Sequence, residues 1–187
     1  MQGPASSAFT GLAIDPPIDP RNGLLAWARQ VPSPNCDARP PGTVADLIIV
    51  HGISLPPGRF GGPWIERLFM NTLPPDQDPY FATIQHLRVS SHVLIARDGA
   101  LTQYVPFDER AWHAGKSYWR GITDVNSASV GIEIVNPGHE FGYRPFPDEQ
   151  IAALIPLVAD IKARHGIGRG NIVGHSDIAP TRKEDPG

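Results

Sequence analysis

The chain holds a single cysteine, Cys36, among its 187 residues, so no disulfide can close within it. A solitary thiol fits a reducing compartment, and Cys36 reads as a small loop or half-buried side chain. No apolar stretch approaches the roughly 20 residues that a membrane-spanning helix needs. A net charge of −3 gives no general attraction to nucleic acid or to an anionic membrane. The opening Met1-Gln2-Gly3-Pro4-Ala5-Ser6 lacks the basic start and apolar core of a signal peptide, so a cytoplasmic location is expected. Nothing points to a protein partner.

Proline is in excess, with 21 residues, about twice the usual share of roughly 5%. Pairs such as Pro16-Pro17, Pro40-Pro41, Pro56-Pro57 and Pro74-Pro75 break helix and strand and predict long, stiff loops. Hydrophobic content of 41% with 19% charged residues is that of a globular protein. The length suits one domain, able to bury roughly 70% of its unfolded surface. Residues 1–22 lack periodicity and read as a tail, leaving 23–187 as the domain.

Within it, residues 24–31 read as an extended arm and the apolar run 45–50 as a strand covered on both faces. Pro63 opens a helix with Trp64, Ile65, Leu68 and Phe69 on one face. A second helix starts near Asp78-Pro79. Residues 89–105 read as a hairpin turning at Arg97-Asp98-Gly99. Residues 129–135 and 171–174 are further strands. The clearest helix spans 147–165, with Ile151, Leu154, Ile155, Val158 and Ile161 as its apolar face and a kink at Pro156. Strands and helices interleave without strict alternation, which predicts an α/β (α+β) fold with a central mixed sheet flanked by helices.

Two apolar runs end on an imidazole: His51 follows the first, and His175 follows the last. Asp185 adds a carboxylate in a loop held by Pro180 and Pro186. Two histidines and one acid are a sufficient set for a catalytic zinc with an open fourth position, and metal-assisted hydrolysis is the reading they favour. Glu133 lies inside an apolar strand. It either faces solvent by alternation or faces the metal and shuttles protons. Lys183 is either a solvated loop charge or an ammonium that stabilises an oxyanion. Asp177 ranks below Asp185 as a ligand because it can cap the following turn. His92 reads as a core histidine; His113, in Ala111-Trp112-His113-Ala114-Gly115, lines a pocket or packs beneath it. Arg88 is a candidate for a substrate carboxylate or for a surface ion pair.

The chain resembles the zinc-dependent N-acetylmuramoyl-L-alanine amidases of the AmpD type, the amidase_2 group related to peptidoglycan recognition proteins. The resemblance rests on Ile49-Val50-His51, Ser54-Leu55-Pro56-Pro57-Gly58, Phe60-Gly61-Gly62-Pro63-Trp64-Ile65, His86-Leu87-Arg88-Val89-Ser90-Ser91-His92, residues 111–115, residues 129–133 and residues 174–187. It implies zinc held by His51, His175 and Asp185, with Glu133 and Lys183 as the catalytic pair. It also implies cleavage between the muramic lactyl group and L-alanine of a stem peptide, with a muropeptide as substrate and Arg88, Trp112, His113 and Ala179 as contacts to it. Soluble anhydro-muropeptides in recycling come first as substrate, broader peptidoglycan second; a non-catalytic muropeptide-binding module and a stem peptidase are the rivals. The pattern departs at Gly52, where the recycling branch commonly has Asn, and at Asp124, where it has a basic residue. It also lacks, beyond Gly187, the Phe/Trp-containing end that relatives carry.

Overall fold

A computed structural model describes residues 18–19, 21–138, 141–142 and 144–187. The expected tail therefore lies largely outside the described residues. Ile18 is buried in the main core cluster, so the packed chain includes a residue upstream of the boundary drawn at 23.

A six-stranded mixed sheet forms the centre. Its strands are β1 (Arg29–Gln30), β3 (Leu47–Ile53), β4 (Val93–Ile95), β5 (Leu101–Gln103), β7 (Ser129–Val135) and β8 (Ile172–Gly174), in the order β1-β5-β4-β7-β3-β8. The pairs β4·β7, β7·β3 and β3·β8 are parallel, while β5 returns antiparallel to β4 as the predicted hairpin. A separate two-stranded ribbon joins β2 (Cys36–Ala38) to β6 (Glu109–Ala111). The central pair β3 and β7 is rich in Ile and Val, which suits strands buried on both faces.

Alternation along these strands decides what meets what. Val130, Ile132 and Ile134 of β7, with Ile48 of β3, pack into the core beneath α3 (Asp148–His165). Gly131 and Glu133, together with Leu47, Ile49 and His51 of β3, face the other way. That opposite side is covered by α1 (Trp64–Phe69), α2 (Pro79–Ile84) and α4 (His175–Ile178). Helix α2 begins as expected: Asp78 Oδ1 accepts the Tyr80 N–H at 2.9 Å and Pro79 takes the first turn.

Two expectations change. Strand β3 runs to Ile53, so His51 lies within it rather than beyond its end. Of the expected face of α3, Leu154, Val158 and Ile161 pack on the core, whereas Ile151 and Ile155 are 37% and 64% exposed and Gln150 and Leu157 are buried instead. Gln150 turns inward because its amide donates to the carbonyls of Ile95 and Val135, at 3.2 and 3.1 Å. Both are strand-end acceptors, and the Val135 carbonyl otherwise has only a long contact from Arg97 Nη1 at 3.5 Å. The helix is continuous through Pro156, which is exposed. It carries Asp148 and Glu149 in its first turn, Lys162, Arg164 and His165 in its last, and stops at Gly166 in the left-handed conformation.

Candidate metal centre and active-site cleft

The parallel strands deliver their chemistry at their C-terminal ends, where clefts form in sheets of this kind. His51 and Glu133 are register partners on β3 and β7. β8 ends at Gly174, and His175 opens α4. The chain after α4 folds back onto this corner. Ser176 N–H donates to the Asp185 carbonyl at 2.9 Å, and Gly52 N–H donates to Asp185 Oδ2 at 3.2 Å.

Three donor atoms converge as a result. His51 Nδ1 lies 2.9 Å from His175 Nδ1; Asp185 Oδ2 lies 3.1 Å from His175 Nδ1 and 3.8 Å from His51 Nδ1. Corners of a tetrahedron drawn around a metal at roughly 2.0–2.1 Å are about 3.4 Å apart, a value these edges bracket. The residues present therefore fit a metal ion, and among the described residues they are the one such cluster of three. Burial first, then the charges of His113, His175, Lys183 and Arg182, hold His51 well below the ordinary histidine range. It is thus neutral, as a ligand must be. Burial alone would raise Asp185. The hydrogen bond and charge of His175, the charge of Lys183 and the Gly52 N–H outweigh it and keep the carboxyl below its ordinary value.

His175 and Asp185 border a cleft of about 830 Å³ that also takes in Glu133, Lys183 and His113. Its apolar wall includes Leu55, Phe69, Tyr80 and Ile84. Glu133 is 9% exposed, and its Oε2 makes no hydrogen bond among the described residues. The solvent-facing alternative for Glu133 is thereby ruled out. Burial and the nearby Asp185 charge push it up to about 8, against the pull of Lys183. Asp177 behaves as a cap: its Oδ2 accepts the Gly174 N–H at 2.8 Å.

The four expected substrate contacts separate. Only His113 lies on the cleft. Arg88 is exposed and folds over the carbonyls of Gln85, His86 and Leu87 at 3.2–3.3 Å. Trp112 turns its indole N–H to Asp37 Oδ1 at 3.2 Å. Ala179 is buried, and its carbonyl accepts the N–H groups of Arg182 and Lys183 at 2.9 and 3.0 Å. It shapes the loop that carries Lys183. His92 is buried with Nδ1 accepting from Gly131 N–H and Nε2 facing the Glu109 carbonyl, both at 3.0 Å. Asp124 is engaged by Arg110 and Ser127 and does not border the cleft.

Sequence reasoning passed over Arg182. Its guanidinium donates to the carbonyls of Ala114 and Lys116 at 3.0 and 2.9 Å and stitches the final loop to the His113 segment. Its neighbourhood in Thr181-Arg182-Lys183 was the available signal. Nothing in spacing could have revealed Asn126, whose Oδ1 accepts the N–H groups of His113 and Ala114 at 3.1 and 2.8 Å.

Residues 41–187 match the family model described as N-acetylmuramoyl-L-alanine amidase, Amidase_2. The 1,6-anhydro-N-acetylmuramyl-L-alanine amidase AmpD of Escherichia coli K12 is 50% identical over 165 residues, 88% of each chain. The crystal structure of a selenomethionine AmpD derivative superposes with a TM-score of 0.84 at 49% identity, covering 88% of this chain and 90% of that one. The E. coli amidase AmiD, solved with anhydro-N-acetylmuramic acid-L-Ala-D-γ-Glu-L-Lys, gives 0.56 at 36% identity over 76% of this chain and 52% of its own. A catalytic-looking corner of two imidazoles and an acid, on a mixed sheet shared with these enzymes over most of both lengths, places the chain in the Amidase_2 family of N-acetylmuramoyl-L-alanine amidases.

Proposed function

We propose that this chain is a zinc amidase that cleaves the amide between a muramic lactyl group and the L-alanine of a stem peptide. In this reading its substrates are soluble 1,6-anhydro-muropeptides produced in cell-wall recycling. The observation that carries it is the convergence of His51, His175 and Asp185 beside the buried, unpartnered Glu133. The identity of about half to AmpD across 88% of both chains supports the substrate class.

His51 Nδ1, His175 Nδ1 and Asp185 Oδ2 would hold the zinc. When bound, the ion polarises the scissile carbonyl and acidifies water at neutral pH. Glu133 takes a proton from the attacking water and passes it to the departing L-alanine nitrogen as the C–N bond breaks and a C–O bond forms. Positive charge beside Glu133 favours its carboxylate form and opposes the effect of burial. The Lys183 ammonium stabilises the oxyanion that develops on the carbonyl oxygen. The apolar wall of Leu55, Phe69, Tyr80 and Ile84 offers a surface for the non-reacting part of the substrate. Glu133 and Lys183 together disfavour a binding-only role, in which neither would be needed. Cytoplasmic action belongs to the same proposal, and the lone Cys36 thiol is compatible with it.

Mass analysis of products tests the reading. An anhydro-muropeptide and a reduced, non-anhydro muropeptide are offered in parallel. Release of intact stem peptide beginning with L-alanine, faster from the anhydro substrate, is expected. Equal rates would replace the recycling role with a broader peptidoglycan one. Cleavage between stem amino acids, or none, would overturn the amidase reading.

A further inference from the structure

His51 is held by a chain of hydrogen bonds whose direction can be read from its far end. Ser129 Oγ lies 2.6 Å from the Val125 carbonyl and 3.2 Å from His113 Nε2. A carbonyl can only accept, so the hydroxyl proton goes to Val125 and Ser129 Oγ is left as an acceptor. His113 must then carry its proton on Nε2 and present a bare Nδ1. That Nδ1 is 2.9 Å from His51 Nε2, so His51 is the donor there, and its own Nδ1 is a lone pair aimed at His175 and Asp185. His175 Nδ1 and Asp185 Oδ2 lie 2.9 and 3.8 Å from that Nδ1, near enough for the three atoms to share one ion.

From this we infer that His113, oriented by Ser129, is a positioning residue that fixes the tautomer of His51 and so pre-forms the metal-binding lone pair. The opposite tautomer would place a proton on Nδ1, where the ligand lone pair is required. The ring of His113 is fixed independently of this relay. Asn126 Oδ1 accepts its backbone N–H at 3.1 Å. A Cβ at Gly131 would come within 2.5 Å of its Nδ1, so glycine on β7 makes the seat for the imidazole. The histidine of Trp112-His113-Ala114 thus acts through His51, whatever contact it also makes in the cleft.

This inference rests on the ligand set proposed above, and the test separates the two. In ¹⁵N-labelled, metal-free protein, imidazole nitrogen shifts report the His51 tautomer without any metal. Chelator competition then reports zinc affinity. His51 is expected to be protonated on Nε2 alone. His113→Leu should mix its tautomers and lower zinc affinity roughly 10–100-fold. His113→Asn, whose amide oxygen can accept in place of Nδ1, should restore most of both. A packing role alone would lower affinity in the Leu and Asn variants alike and leave the tautomer unmoved. If His113→Leu fails to fold, Ser129→Ala serves, with a smaller shift in the same direction. Protonation of His51 on Nδ1 in the parent, or an unchanged His51 tautomer in His113→Leu or the substitute Ser129→Ala, overturns the relay. Failure of the parent to take up zinc would overturn the ligand reading, while the tautomer still decides the relay.

Discussion

His51 and Glu133 sit directly opposite one another on adjacent parallel strands, so their side chains leave the sheet on the same face as neighbours. One residue of register slip would send one of them beneath α3. The pairing of β3 with β7 is therefore what brings the proposed proton shuttle to the proposed ligands.

Glu133 should report this position through pH. Its ordinary value is 4.5 and burial raises it to about 8 in the folded chain. Between those values the folded state binds more protons than the unfolded state, so stability falls as pH rises through that window. Metal-free Glu133→Gln should lose this part of the slope and be more stable than the parent at pH 8, by on the order of a few kcal/mol. With zinc it should lose activity about 10²–10⁴-fold. Denaturant unfolding at pH 5 and 8 checks the first, and steady-state kinetics the second.

Lys183→Ala should keep its metal and lower kcat by about 2–4 kcal/mol of transition-state stabilisation. An unchanged zinc affinity with a fall in kcat of roughly 30- to 900-fold is the expected pattern. Loss of metal together with activity would assign Lys183 to the scaffold instead.

Gly131→Ala places a methyl group against the His113 ring, 2.5 Å from Nδ1. Overpacking of this kind destabilises by about 1–3 kcal/mol. Because the ring presses towards His51, zinc affinity should fall as well. Urea unfolding and chelator competition on one preparation check both.

Cys36 should be chemically quiet. Burial, then the hydrogen bond and charge of Glu109 and the charge of Asp37, push its thiol up to about 11. At pH 8 its thiolate fraction is about two orders of magnitude below that of a free cysteine. Alkylation by iodoacetamide should be correspondingly slow, and Cys36→Ser should leave turnover unchanged.

The architecture was legible wherever one period dominated. The Ile/Val runs announced β3 and β7, and Arg97-Asp98-Gly99 announced the hairpin. The buried face of α3 was legible in part: Leu154, Val158 and Ile161 pack on the core as expected, but Ile151 and Ile155 do not, because two apolar stripes overlap along the helix and only the sheet selects between them. Gln150 belongs to the inner one through acceptors on β4 and β7. His51, His175 and Asp185 were readable as residue types that make sense only together, and the fold brings their donor atoms within 4.8 Å of one another. Arg88 and Trp112 illustrate the limit of motif adjacency. Each stands beside residues that border the cleft, yet each spends its polar atoms on local partners. Ser129 and Asn126 matter through hydrogen bonds across the fold, and no one-dimensional pattern encodes those.

The most direct check is the zinc content of purified parent and Asp185→Ala proteins after saturation and gel filtration, with circular dichroism confirming that both are folded. One zinc per parent chain and none retained by the variant is the predicted result. A parent that takes up no divalent ion, or a variant that holds zinc as firmly as the parent, would contradict a metal centre built from His51, His175 and Asp185.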